Sequence, residues 1–181
     1  DVRLTRTTAV SGTLTLTAGK VITGTYELQV TNSSTTSITG YSASSYVYGN
    51  LRRSVLLTGS YDFPLGNNSN YELLNLSLTA AVGFTSVLGK FTSGNPENAA
   101  YPLTPITISG VDMFEFLNAG YWTLTPNSPL TVGIFSVNVV ETGYTNSLID
   151  GILYSLLYRP NSTTAWSSAG THSDATQIWD G

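Results

Sequence analysis

Catalytic chemistry has few candidates among the side chains of this sequence. A single histidine, His172, lies in a polar C-terminal stretch, and no G-x-S-x-G motif supplies the serine of a Ser-His-Asp triad. Asp112 and Glu115 are close neighbours, but three positions along a strand place them on opposite faces, whereas a glycosidase needs two facing carboxylates. The absence of cysteine excludes disulfides, thiolate nucleophiles and thiolate metal sites. We therefore predict that the protein is not an enzyme and has no catalytic residues.

Metal-binding spacing is also absent. The carboxylates are spread along the chain, and none follows the pattern of an EF-hand calcium loop. We therefore predict no metal site and no cofactor. The alternative is a structural calcium ion held by loop carbonyls together with Asn67, Asn68 or Asp62.

Aromatic side chains are the remaining candidates for ligand contact, because the sequence has three Trp and eleven Tyr but few charges. An aromatic ring offers an apolar face for a sugar ring and a polar edge for its hydroxyl groups. Trp166 and Trp179 stand in polar surroundings, which predicts exposed rings and a carbohydrate-binding site. Trp122 lies in an apolar run and is predicted to belong to the core. The alternative for Trp166 is a packing role in which its indole N–H caps a loop.

Composition narrows the classes of partner and compartment. Charged residues make up 10% of the sequence, against about 25% in ordinary domains. The net charge of −4, with seven Lys and Arg, excludes a basic patch for nucleic acid. No apolar run approaches the roughly 18 residues of a membrane span, so we predict no membrane insertion. Polarity comes mainly from Thr, Ser, Asn and Gly, which favours an extracellular or cell-surface protein, and the start at Asp1 favours a mature or excised fragment.

The candidate residues lie on or between short strand-like runs that are separated by turn signals. Residues 12–17 alternate Thr and Leu, residues 71–79 alternate around three Leu, and residues 80–91 and 130–141 add two further runs. Thr, Val, Tyr and Ile dominate such runs, as half-buried pleated surfaces prefer. The pattern predicts an all-β fold, an antiparallel β-sandwich of the Ig-like or jelly-roll-like kind. The Leu-Thr alternation alternatively indicates one or two coils of a β-solenoid, although two coils do not bury a core alone.

Residues 45–66 are the stretch around which we expect the fold to be organised. They read as two strands, 45–57 and 60–65, joined by a turn. Arg52 and Arg53 interrupt the first strand, and adjacent residues of a strand point to opposite faces. We therefore expect one Arg to face solvent and the other to extend its aliphatic part along the core or to pair with a carboxylate.

Three stretches together resemble a known module. Residues 44–66 contain SYVYGNLRR and then YDFPLG, residues 121–127 read YWTLTPN, and residues 159–172 read RPNSTTAWSSAGTH. In this order and spacing they resemble an accessory β-sandwich module of secreted multidomain proteins of Bacteroidota, of the type IX secretion cargo kind. The resemblance implies a secreted, non-catalytic region and supplies no catalytic residues. Such modules continue into one more strand rich in Phe and Gly, so we expect a sandwich that lacks its last strand.

The domain prediction is an N-terminal arm or edge strand over residues 1–11 and a single β-sandwich domain over residues 12–181. A sandwich without its last strand has unpaired edges, and an arm carrying Val2, Leu4 and Val10 can fill the groove of a neighbouring copy. We predict a non-catalytic extracellular structural or adhesive module. The alternatives are a carbohydrate-binding module and an extracellular filament subunit assembled by strand donation. The corresponding partners are polysaccharide and neighbouring copies of the chain.

Overall fold

A computed structural model describes residues 1–97, 102–108, 110–146, 153–168 and 176–177. These residues form strands and no helix, which confirms the all-β prediction, and none of them belongs to a helix able to cross a membrane. In chain order the strands are β1 (Val2–Arg3), β2 (Thr8–Val10), β3 (Leu14–Thr15), β4 (Val21–Val30), β5 (Ile38–Thr39), β6 (Val47–Ser54), β7 (Gly59–Gly66), β8 (Tyr71–Val82), β9 (Ser86–Ser93), β10 (Ile106–Ile108), β11 (Val111–Met113), β12 (Gly120–Pro126), β13 (Val132–Val140), β14 (Leu153–Tyr154) and β15 (Thr176–Gln177).

The chain divides into two compact units. The first comprises Asp1–Ser93 and Tyr121–Gly143 and holds most of a nine-stranded sheet made of β1, β2, β4, β6 to β9, β12 and β13. The second comprises Gly94–Gly120 and Tyr144–Gly181 and contains the antiparallel pairs β10–β11 and β14–β15. Its buried apolar residues include Ile108, Met113 and Ala119.

Parallel pairing distinguishes the N-terminal half of the first unit. Strands β1 and β2 both lie parallel along β4, and β4 lies parallel along β6, where Leu28 stands opposite Leu51. Beside this ladder β3 pairs parallel with β5, with Leu14 opposite Ile38. The large sheet is therefore mixed, and the prediction of an antiparallel sheet is wrong for these strands.

The reason for the parallel order lies in the connections. Residues 11–20 and 31–46 carry the chain back to the end of the sheet from which the previous strand started, so successive strands run in the same direction. Such stacked parallel strands are the arrangement of β-solenoid coils. Like-with-like apolar pairing across the ladder then places the buried faces of β4 and β6 on the same side of the sheet.

Strand β6 is the point at which the sheet divides. Its first two residues pair in parallel with the end of β7, whereas residues 51–54 pair antiparallel with β9. Between these two parts Gly49 has a φ of +125°, and the buried Thr23 occupies the space that a Cβ at Gly49 would need. Thr23 Oγ1 also accepts a hydrogen bond of 2.8 Å from the backbone N–H of Asn50. Glycine is required there because both the backbone angle and the packing exclude a side chain.

The antiparallel part of the sheet continues from β7 through β8 to β13. Alternate residues of β8, namely Leu74, Leu76 and Leu78, are almost fully buried. Phe63 of β7 is also fully buried, and its ring lies over Gly89 of β9, where an added Cβ would come within 2.6 Å of the ring. Strands β7 and β9 therefore pack face to face across the core of the first unit.

The two adjacent arginines lie on opposite faces of β6, as the sequence predicts. Arg52 is half-buried and forms an ion pair of 2.8 Å with Glu27 of β4. Arg53 is fully buried, and no carboxylate in the described part of the chain lies within ion-pair distance of its guanidinium. Its guanidinium donates instead to the carbonyl oxygens of Ser34, Thr35 and Asp62 and to the hydroxyl of Ser37.

Candidate functional site

The predicted sugar-binding Trp166 belongs to the second unit and is half-buried. Its ring centroid lies 4.8 Å from that of Phe116 and 4.3 Å from the guanidinium carbon of Arg159. Its indole N–H is buried and has no acceptor among the described residues. The ring is thus engaged in packing, and sugar binding by Trp166 stays a prediction. Trp179, like His172, lies outside the described residues.

The oxygen atoms proposed for calcium accept hydrogen bonds from the protein. The carboxylate of Asp62 accepts from the hydroxyl of Tyr41 at 2.5 Å and from the side-chain amide of Asn75 at 2.7 Å. Asn67 Oδ1 accepts from the backbone N–H of Ser69 at 2.7 Å. Within the described ranges, no group of three or more His, Cys, Asp or Glu side chains is arranged to hold a metal ion.

A buried carboxyl group was not anticipated from the sequence. Glu72 of β8 is fully buried, and burial raises its pKa to about 7, although hydrogen bonds from Thr142 oppose the shift. The backbone N–H of Thr142 donates to Glu72 Oε2 at 2.8 Å, and the indole N–H of Trp122 donates to the backbone oxygen of Glu72 at 3.4 Å. Trp122 packs edge-on against Phe91 at 5.0 Å but is half-buried, so it lies at the margin of the core rather than within it as predicted. Full burial gives this acid a structural role rather than access to a substrate.

The residues predicted for strand donation pair within their own chain. The backbone N–H of Val2 donates to the oxygen of Lys20 at 2.8 Å, and that of Leu4 donates to Ile22 at 2.9 Å. Val10 stands opposite Val30 in the β2–β4 ladder. The N-terminal residues thus form two edge strands, and donating them to a neighbour would first break this ladder. Strand donation by Val2, Leu4 and Val10 stays a prediction.

Strand β13 is the largest open edge in the first unit. Eight of its nine residues pair with β8, and no strand of the described ranges pairs with the other side of β13. Four of its side chains are large, apolar and well exposed: Val132 (63%), Ile134 (71%), Phe135 (50%) and Val140 (53%). The strand contains no charged residue and no proline, which are the usual devices that protect an edge from pairing.

The register of β13 shows which of its side chains face the core. Phe135 stands opposite Leu78 and Val137 opposite Leu76, so these residues share the face on which β8 is buried. Phe135 remains half exposed on that face, because no further strand covers it laterally among the described residues. An added strand would therefore gain both backbone hydrogen bonds and an apolar face, which is the geometry of strand addition.

Comparison of the chain with family models, with curated proteins and with solved structures gives no match. The resemblance to a secreted accessory module of Bacteroidota accordingly stays a prediction. The open edge of β13, with its register and exposure, is the feature from which a function can be argued.

Proposed function

We propose that the chain is a non-catalytic structural or adhesive module of an extracellular or cell-surface protein, and that it pairs with a second copy of itself along β13. The observation that carries this proposal is the uncharged, nine-residue edge of β13 with its exposed apolar side chains. The face-to-face packing of β7 and β9 and the antiparallel β7–β8–β13 order support a β-sandwich as the architecture.

A second copy suits this edge because the strand complements itself. An antiparallel pair of two β13 strands centred on Ser136 sets Phe135 opposite Val137 of the partner copy and Val132 opposite Val140. The core-facing side would then continue across both copies as one apolar surface. Since β13 carries no charge, the pairing brings no like charges together.

The expected assembly is a closed dimer. When β13 of one copy pairs with β13 of a second copy about a two-fold axis, both edges are occupied. A third copy then has no β13 edge to bind, so the assembly stops at two. Association costs at least about 4 kcal/mol, and burying one large aliphatic side chain recovers about 1.5–3 kcal/mol. Several apolar side chains in each copy are therefore needed, and β13 supplies them on both of its faces.

Replacing Ile134 with Lys should abolish the association. The side chain is 71% exposed, so the change leaves the folded chain intact while placing a charge on the edge of each copy. Light scattering coupled to size exclusion should give twice the 19.3 kDa chain mass for the wild type and the single chain mass for Ile134→Lys.

Leu56→Lys is the matched control, because Leu56 is also an exposed aliphatic residue (57%) but lies in the turn between β6 and β7. It should keep the mass of the wild type. A wild type that stays a single chain at all concentrations, or equal loss of association in both variants, contradicts the proposal. Linear particles of many copies would instead require a second, different contact.

A further inference from the structure

The outer face of the sheet bears two adjacent clefts in the first unit. One cleft of about 330 Å³ is lined on β12 by Tyr121 and on β6 by Asn50. The other, of about 470 Å³, is lined by Tyr48 of β6 and Arg3 of β1. Lys90 and Thr92 of β9 line both clefts. The two clefts therefore form one continuous groove that crosses the strands. A groove across several strands suits an extended ligand better than a small one.

The strand pattern explains why these side chains meet at the surface. Along β9, Val87, Gly89 and Phe91 point into the core, so Leu88, Lys90 and Thr92 point outward. On β6 the same alternation buries Val47 and Leu51 and turns Tyr48 and Asn50 outward. Pairing of β9 with β6 and with β12 then sets the three outward rows side by side.

The charge of this groove has the opposite sign to that of the whole chain. The chain has a net charge of −4 and seven Lys and Arg, yet two of these, Arg3 and Lys90, line the larger cleft. Neither cleft is lined by an Asp or Glu. Both cations are exposed, and within the described ranges neither side chain forms a hydrogen bond or an ion pair. Two unpaired cations that line one cleft favour an anionic ligand.

The other lining groups indicate that the negatively charged ligand is a sugar polymer. Each cleft has one tyrosine, Tyr48 or Tyr121, which offers a ring face to a sugar and a hydroxyl for hydrogen bonding. Short hydroxyl donors and acceptors come from Thr92 of β9 and from Thr123 and Thr125 of β12. Asn50 adds only its Oδ1 as an acceptor, because its amide N–H groups donate to the backbone oxygens of Gly24 and Tyr26. Gly24 also lines the larger cleft, and the space beside its Cα is open, so a ligand can approach the backbone there.

We infer that this groove binds an acidic polysaccharide, with Lys90 and Arg3 contacting its carboxylate or sulfate groups and with Tyr48 and Tyr121 lying against successive sugar rings. The inference does not depend on the pairing of β13, because the groove and that edge lie on different strands. It also differs from sugar binding at Trp166 and Trp179.

Isothermal titration with polygalacturonate, dextran sulfate and neutral dextran tests the inference. We expect at least one of the two acidic polymers to bind, the preferred one identifying carboxylate or sulfate, and we expect neutral dextran not to bind. Lys90→Gln should weaken binding about tenfold, the usual effect of losing one charge-assisted contact, and added salt should weaken it further. Tyr121→Ala should weaken it as well by removing a ring face.

Arg6→Gln is the matched control for Arg3→Gln, because Arg6 is an exposed arginine of the same N-terminal segment that does not line the groove. Arg6→Gln should retain the affinity of the wild type and Arg3→Gln should lose part of it. The inference is overturned if neither acidic polymer binds, if neutral dextran binds equally well, or if Arg6→Gln weakens binding as much as Lys90→Gln. Far-ultraviolet circular dichroism establishes that each variant is folded.

Discussion

Replacing Arg53 with Met should lower the free energy of unfolding by about 2–4 kcal/mol, because several hydrogen bonds from a charged donor are lost at once. The guanidinium is fully buried and donates to the carbonyl oxygens of Ser34, Thr35 and Asp62. Met fills much of the same volume but donates no hydrogen bond. The carbonyl groups belong to the backbone and cannot be replaced, so in these part-buried positions they would lose their donor.

Arg52→Met is the matched control for this prediction. Arg52 is the next residue of β6, but it is half-buried and pairs with Glu27 at the surface. Such a pair contributes about 0–1 kcal/mol, so this variant should unfold at nearly the urea concentration of the wild type. Equal shifts of the urea midpoint in the two variants would contradict this prediction. They would mean that the hydrogen bonds from Arg53 to residues 34–37 contribute no more to stability than the ion pair of Arg52.

We expect the stability of the wild type to decline between pH 4.5 and 7, and Glu72→Gln should remove most of that decline. Burial raises the pKa of Glu72 from 4.5 to about 7 in the folded protein. Below pH 4.5 the group is protonated in both states, and between the two pKa values only the unfolded chain releases the proton. The free energy of unfolding therefore falls by about 3 kcal/mol as the pH rises through this window.

The hydrogen bonds around Glu72 are compatible with glutamine. The side-chain oxygen of Gln can accept from the backbone N–H of Thr142, and its amide can donate to the Thr142 hydroxyl, which itself donates to the backbone oxygen of Tyr71 at 3.0 Å. Urea titrations at pH 4, 6 and 8 measure the effect. An unchanged pH profile in Glu72→Gln would mean that another group causes the decline.

Glu27→Gln provides a control of opposite sign. The hydrogen bond from Arg52 lowers the pKa of Glu27, so this carboxylate stabilises the fold above its unfolded pKa and loses that contribution as the pH falls. Its substitution should leave the window between pH 4.5 and 7 nearly unchanged and alter the profile at lower pH. The two carboxylates thus separate the effect of burial from the effect of an ion pair.

Local alternation made part of this fold predictable. The Leu residues of 71–79 specify a strand with one buried face, and β8 has that face in the core. Glu72 lies on the same period-two face as Leu74, so its burial could have been read from the spacing. Residue type alone argues against that reading, because buried carboxylates are rare.

Long-range pairing was not predictable from local patterns. The parallel alignment of β4 with β6 depends on how the intervening connection returns the chain, which alternation along one strand does not encode. The single strand expected over residues 80–91 is wrong, since β8 ends at Val82 and β9 begins at Ser86. Gly83 there has a φ of +123° and lies too close to the backbone oxygen of Pro129 to carry a side chain.

The candidate site was predictable in kind but not in place. The run over residues 130–141 was expected to be a strand, and β13 confirms it. This strand has apolar residues on both faces, a pattern that does not tell a central strand from an edge strand. Its place at the edge follows from the order of the strands in the sheet, which the sequence of one strand does not encode. The groove residues come from β1, β4, β6, β9 and β12, so the sequence alone could not bring them together.

The parallel ladder at the N-terminus has a mechanical consequence. Strands β1 and β2 run in the same direction as β4, and the Asp1 side chain accepts a hydrogen bond of 2.7 Å from the backbone N–H of Lys20. Consider a force that pulls Asp1 along the strand axis while a point farther along the chain is held fixed. This force slides β1 and β2 past β4. Their ladder hydrogen bonds then carry the load together instead of opening one at a time, so this end of the protein is built to resist stretching along its strands.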